Sequence, residues 1–383
     1  MEIEIKDLKC EYLVNPIGID TPSPRLTWQI TSHKTGTEQN AWEIIVGTDS
    51  LEVISGKGNL WDSGKIISGQ SLAVYSGNSL SPFTKYFWSV KIWNENGTPT
   101  NFSNVATFET GMMNSRNWKG DWISDTRDVD LKPAPWFRKE FTASKTIQSA
   151  RVYIAVGGLY ELYLNGEKVG NHRLDPTYTR FDRRILYVTH DVTKMIKDGK
   201  NAVGVLLGNG WYNHQSTAVW YFHEALWRAR PKFCMDLHIT YSDGSKDIVS
   251  SETDWKTSLS DVVFNSIYTA EHHDARLIQA GWNKAGFDDS DWKAAIPVGA
   301  PSNNIVTQNL HPIRNVKKIP AEEMVKFNNT NYLFDFGQNI SGVSQLKIKG
   351  ERGTEVRLIH AERLGKEGKA DLSNIDVHYR PTD

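Results

Sequence analysis

The feature that most constrains this chain is the period of its hydrophobic residues. Apolar and polar positions alternate through segment after segment, and no stretch holds a 3.6-residue pattern for three turns. The runs at 86–93, 160–164 and 236–241 alternate in this way, and each is followed by a turn dipeptide: Asn96-Gly97, Asn165-Gly166 and Asp243-Gly244. Asn-Gly and Asp-Gly accept the positive φ angles of a tight type I′ turn, so each predicts a β-hairpin. Helix is expected only in short pieces, at 49–54 and 192–197. The chain is all-β.

A length of 383 residues holds two or three domains at roughly 100–200 residues each. Residues 1–112 carry about seven short strands, among them 25–31, 42–47, 86–93 and 106–110, the pattern of a fibronectin-III-like β-sandwich. Residues 112–118 are polar and without periodicity, as a linker would be. Residues 119–301 hold many more strands, beginning with 136–141, and suit a larger sandwich of the jelly-roll kind. Residues 302–383 contain strand candidates near 333–339, at 344–349 and at 355–360, and read as a third sandwich that is partial and cut short.

Charge and cysteine content exclude several classes. Lys and Arg total 44 against 45 Asp and Glu, so the chain lacks the basic excess that marks nucleic-acid binders. Two cysteines, Cys10 and Cys234, make neither a disulfide framework nor a four-thiolate zinc site, and are expected as buried free thiols. No apolar run reaches the length of a membrane span, and the N-terminus lacks the regions of a signal peptide. As written the chain is expected in the cytoplasm; a leader removed and replaced by Met would instead make it periplasmic or secreted.

Candidate chemistry is sparse. Carboxylates are plentiful, including Glu271, Asp274, Asp288, Asp289, Asp291, Glu362 and Asp371, but no spacing sets two of them across a glycosidic bond. Glu271-His272-His273-Asp274 looks rich in ligands, yet on a strand the two His side chains point apart. Calcium takes carboxylate and loop oxygens, and Asn171, Asp175 and Asn213 sit in loops where they would offer them. No nucleophile elbow or phosphate loop is present. Gly208-Asn209-Gly210-Trp211-Tyr212 reads as a tight turn that presents aromatic rings. With 14 Trp, 14 Tyr and 14 Phe, rings that stack on sugars are available. The candidate carbohydrate contacts are Trp211, Tyr212 and Trp220, with Asn171 and Asp175 as polar groups.

Several stretches, taken in order, resemble a known family. They are "WFRKEF" at 136–141, "GGLYELYLNGEKVGNHRLDPTYTRFDRRILYVTHDVT" at 157–193 and "GKNAVGVLLGNGWY" at 199–212. "DAR" at 274–276, "GWN" at 281–283, "DFGQNISG" at 335–342 and "HAERL" at 360–364 follow. The set is similar to the N-terminal half of bacterial α-L-rhamnosidases, inverting glycoside hydrolases that remove terminal L-rhamnose. The resemblance implies a fibronectin-III-like domain, a jelly roll of galactose-binding-like type and part of a concanavalin-like sandwich. It places the catalytic carboxylates in an (α/α)6 barrel beyond these motifs, so no catalytic residue carries over to this chain. Some family members bind rhamnose with calcium on a jelly roll. Where the family usually has Pro-Gly-Trp-Thr, this chain reads Pro176-Thr177-Tyr178-Thr179. Two functions are expected from this. One is the N-terminal portion of an α-L-rhamnosidase, acting on rhamnose-containing glycosides or polysaccharides; the other is a non-catalytic carbohydrate-binding or architectural protein.

Overall fold

A computed structural model describes residues 3–218, 220–374 and 379–380. The first sandwich pairs Ile3–Cys10, Arg25–Ser32 and Leu72–Val74 in one sheet. Its second sheet runs Ile17–Ile19, Ala106–Thr110, Lys85–Asn94, Gln39–Gly47 and Trp61–Asp62, with Ile66–Ile67 also on Gln39–Gly47. Alternation along Lys85–Asn94 sends Tyr86, Trp88, Val90 and Ile92 into a core shared with Trp28, Ile44, Val46 and Phe108. The Tyr86 hydroxyl accepts the Ser81 N–H at 2.7 Å and fixes the strand entry, as a tyrosine corner does in immunoglobulin-like sandwiches.

The larger sandwich has two sheets. One orders Ile296–Pro297, Ile123–Ser124, Lys232–Tyr241, Ile147–Gly157, Ile185–Asp191 and Ile305–Thr307, with Lys246–Ser250 branching from Lys232–Tyr241. The other orders Glu167–Lys168, Leu159–Leu164, Gly199–Gly208, Pro135–Ala143, Lys256–Leu259 and Lys293–Ala294. Phe137, Val152, Ile154, Leu162, Val205, Phe233, Leu237 and Trp255 fill the space between them. The strand Ile147–Gly157 reads as an unbroken apolar run over 152–156 because both its faces are covered. Tyr153 and Ala155 point away from that core into a second cluster with Met112, Trp122, Phe181, Ile185, Tyr187 and Tyr212.

This second cluster lies where the first sandwich meets the jelly roll. Asp20 of the first sandwich accepts the Tyr187 hydroxyl at 2.6 Å, the Met113 N–H at 2.8 Å and the Thr307 N–H at 3.0 Å. Arg151 grips Glu109 with two hydrogen bonds, of 2.8 and 3.0 Å. Phe83 packs edge-on against Tyr153. The segment 112–118 is therefore held in place, with its Met112 N–H on the Tyr187 oxygen at 3.0 Å.

Of the three turns, Asn165-Gly166 is the expected two-residue loop, with φ of 53° and 88° and Leu164 facing Glu167. The other two differ. Gly97 and Gly244 have positive φ while Asn96 and Asp243 do not, and each Gly N–H returns to the carbonyl three residues back. These are type I turns closed by a glycine bulge, because their loops are three residues long. The short helices lie near where they were expected: Ser50–Ile54, capped by Asp49, and a single 3-10 turn at Thr193–Met195. Cys10 and Cys234 are buried free thiols.

In the third region Glu323–Lys326 and Tyr332–Asp335 form a hairpin. Residues 344–349 and 355–360, expected as strands, form none. The two segments lie alongside, with the Ser344 hydroxyl 2.6 Å from His360 Nε2. Their apolar positions Leu346, Ile348, Val356 and Leu358 are 42–61% exposed. Alternation alone does not close a ladder when no second layer covers the apolar face. Tyr379–Arg380 pairs with Thr217–Ala218 on the jelly roll.

Candidate functional site

The strand Gly199–Gly208 leads into the glycine-rich turn. Asn209 is locked by its N–H to Asn265 Oδ1 at 2.7 Å and its side-chain amide to the Asn265 carbonyl at 2.9 Å. Gly210 has φ of +52°, and a Cβ there would sit 2.9 Å from Leu159. The Asn213 N–H returns to the Asn209 carbonyl and closes the turn that carries the two rings. Trp211 stays partly exposed, and its indole N–H donates to the Tyr268 hydroxyl at 2.8 Å. Tyr212 is 1% exposed inside the interdomain cluster. Tyr212 is thus a core ring that no sugar reaches.

Around Trp211 an aromatic wall assembles from three loops. Tyr178 stands 5.7 Å from the Trp211 ring and 5.9 Å from Phe222, and is 39% exposed. Trp220, 55% exposed, lies 5.6 Å from Tyr268 at 36°. Tyr268 therefore bridges the two expected tryptophans; it lies 48 positions beyond Trp220, in the turn of the hairpin formed by Val262–Ser266 and Ala270–His273, and no local pattern links it to them.

The polar candidates lie elsewhere in role. Asp175 is buried; its carboxylate meets His172 Nδ1 at 2.7 Å and accepts the Gln308 amide at 3.0 Å. It anchors the loop that carries Tyr178, and does not face solvent. Asn171 is exposed on the same loop. Tyr160 donates to or accepts from His190 Nε2 at 2.8 Å beneath it. Burial, helped by the neighbouring His172, pushes His190 down to about 4.

Beside the wall is a cavity of about 190 Å³ lined by Asp130, Lys132, His214, Ser216, His223 and Arg228, among others. His214 Nε2 is 3.2 Å from the Ser216 hydroxyl, which also meets Ser266 at 2.9 Å. No carboxylate stands behind His214: its Nδ1 is buried without a partner among the described residues. Burial, then His223 and Arg228, hold His214 down to about 4. This pair lacks the orienting acid of a nucleophilic triad.

Of the candidate carboxylates, Asp274, Asp288, Asp289 and Asp371 serve as caps and ion pairs. Asp288 accepts the Ser290 N–H, Asp274 caps and pairs with Arg276, and Asp371 pairs with Arg363. Asp289 and Glu140 both bind the buried Arg138, which also donates to the carbonyls of Trp282 and Lys284. Trp136 stacks on Trp282 at 5.1 Å and on Trp292 at 6.1 Å. The 136–141, 281–283 and 286–292 stretches are thereby one structural unit. His272 and His273 diverge, toward Phe264 and Asp261 respectively. The described residues contain no group of three His, Cys, Asp or Glu that would hold a metal ion. Asn213 is committed to Val129, Asn209 and Arg228.

Comparison with known proteins gives three sequence families in order along the chain. Residues 5–114 match the Rha78A-like N-terminal immunoglobulin domain, 145–317 the alpha-L-rhamnosidase N-terminal domain, and 325–382 the bacterial alpha-L-rhamnosidase concanavalin-like domain. An alpha-L-rhamnosidase of Formosa agariphila is 31% identical over 93% of this chain and 40% of its own length. One from an Alteromonas species is 32% identical, again over 93% and 40%. Among solved structures, the alpha-L-rhamnosidase of Dictyoglomus thermophilum is 38% identical with a TM-score of 0.81, over 88% of this chain and 38% of that one. The Streptomyces avermitilis alpha-L-rhamnosidase complexed with L-rhamnose shares the fold at a TM-score of 0.90 and 23% identity, over 97% of this chain and 52% of that one. The chain spans about 40% of the length of the curated relatives it matches. It belongs to the bacterial alpha-L-rhamnosidase family and carries that family's immunoglobulin-like, N-terminal and concanavalin-like β-domains.

Proposed function

We propose that this chain is the N-terminal β-domain portion of an α-L-rhamnosidase, which hydrolyses terminal α-L-rhamnosides with inversion by carboxylates outside these residues. The observation that carries this reading is the ordered match of three rhamnosidase domain families along one chain. Inversion needs an acid and a base about 6.5–9.5 Å apart across the bond, and the carboxylates traced above are spent on caps and ion pairs. The test is release of nitrophenol from 4-nitrophenyl α-L-rhamnoside. The 383-residue chain alone is expected to release none, and turnover by it would overturn the assignment of catalysis to other residues.

A second role for the same chain is favoured by the wall of Tyr178, Trp211, Trp220 and Tyr268. Exposed rings beside a polar cavity match the make-up of sugar sites, in which an apolar face stacks the ring and a few polar groups orient it. L-rhamnose titrated with and without calcium, while tryptophan fluorescence is followed, is expected to quench or shift emission. The change should disappear in Trp211→Ala. No response up to millimolar sugar would leave these domains an architectural role only.

A further inference from the structure

On the edge of the jelly roll away from its sandwich core, a cavity of about 370 Å³ is lined by Ser124, Thr126, Arg127, Arg230, Lys232 and the 297–299 backbone, with Ala229. Three cations line it and no carboxylate does. Arg230 is neutralised: its guanidinium is buried and takes both oxygens of Asp125, at 2.9 and 2.8 Å. Arg127 and Lys232 are not. Neither forms an ion pair among the described residues. Arg127 donates to the Pro297 carbonyl at 3.0 Å, and Lys232 to the Gly299 carbonyl at 3.2 Å. The nearby Asp128 accepts the Asp130 backbone N–H instead.

Two unpaired cations held on neighbouring carbonyls repel each other, and one of them is partly withdrawn from water. Burial and then Arg127 lower the Lys232 ammonium below its ordinary value. Such an arrangement is relieved when an anion enters between the charges. The volume falls in the range of small-molecule sites, about 300–1,000 Å³. The hydroxyl of Thr126 adds a donor on the rim.

We propose that this pocket binds an oxyanion, the carboxylate or sulfate group of a small acid or of an acidic sugar, between Arg127 and Lys232. The pocket is separate from the aromatic wall, and the proposal does not depend on where rhamnoside hydrolysis takes place.

The experiment is isothermal titration of the chain with sodium sulfate, sodium D-glucuronate and L-rhamnose at constant ionic strength. Saturable millimolar binding of glucuronate alone assigns the site to an acidic sugar, and binding of both anions assigns it to the oxyanion itself. Arg127→Gln removes the charge but keeps a polar amide and should weaken binding at least tenfold, as should Lys232→Met. Lys232→Arg should restore most of it, and Lys57→Ala, on an exposed loop of the first sandwich, should change nothing. Unfolding midpoints of the variants separate lost binding from lost fold. Absence of saturable anion binding would overturn the proposal. So would equal binding of L-rhamnose in this pocket, or anion binding unchanged in both Arg127→Gln and Lys232→Met.

Discussion

Replacing Tyr187 by Phe would test whether the first sandwich and the jelly roll are joined through one carboxylate. The Tyr187 hydroxyl donates to Asp20 at 2.6 Å and accepts the Met112 N–H at 3.0 Å, in a fully buried setting. Phe keeps the ring and its packing against Trp118 and Tyr153. What is lost is a hydrogen bond to a charged group, ~1.5–3 kcal/mol, together with a buried N–H left unpaired, ~1–3 kcal/mol. Asp20 retains the Met113 and Thr307 N–H donors, so the combined cost should be about 3 kcal/mol. Urea unfolding followed by tryptophan fluorescence reads it. The same variant should uncouple the two sandwiches, so that the transition broadens or splits. A cost below ~0.5 kcal/mol with a single sharp transition would refute the reasoning, because an unpaired buried donor costs more than that.

The junction also carries a pH signature. Burial holds the Asp20 carboxyl above its usual range, against the pull of its three donors. Its contribution is therefore fullest below the ordinary aspartate value and is lost as pH rises through the raised one. Three histidines act in the opposite sense. His190, His214 and His238 are each held down to about 4, first by burial, so stability should fall as pH drops from about 6.5 toward 4. Urea midpoints at pH 7 and pH 4.5 check the balance, and a midpoint that rises on acidification would contradict the histidine assignment. Arg138→Met removes the hub that joins Glu140, Asp289 and the Trp282 and Lys284 carbonyls. It is expected to destabilise the jelly roll by ~1.5–3 kcal/mol in urea unfolding, since the Trp282 and Lys284 carbonyls lose a charged donor while the partly exposed Glu140 and Asp289 turn to water. Gly111→Ala would place a methyl 2.0 Å from the Tyr187 oxygen and 2.8 Å from the Gly18 carbonyl. It should lower the thermal midpoint more than Gly97→Ala, whose turn has open space but a strained φ.

Much of the fold was legible because it rests on local rules. Alternation located Arg25–Ser32, Lys85–Asn94 and Ala106–Thr110 to within a residue or two, and the Asn165-Gly166 pair specified its own turn. Where pattern failed, tertiary cover decided. Residues 355–360 alternate as well as any strand, yet their apolar side chains stand about half exposed and no layer covers them among the described residues. The turn types at 94–98 and 241–245 depended on loop length, which a dipeptide does not encode. At the aromatic wall, proximity in sequence made Trp211 and Tyr212 look equivalent, while the fold buries Tyr212 in the core and leaves Trp211 at its margin, partly exposed. Tyr268 and Tyr178 reach Trp211 from separate loops, and no spacing rule connects them. The aromatic richness is explained largely by packing: Trp136, Trp282 and Trp292 stack on one another, and Trp28, Trp42 and Trp88 sit in the first core. The Arg127–Lys232 pair is equally invisible in sequence, since 105 positions separate residues that line one cavity.

The measurement that bears most directly on the account is hydrolysis of 4-nitrophenyl α-L-rhamnoside by the purified 383-residue chain. The expected result is a folded protein with a cooperative urea transition and no nitrophenol release over the buffer rate. Release that is saturable in substrate and abolished by replacing a carboxylate of this chain would contradict it, and would place the catalytic pair within these β-domains.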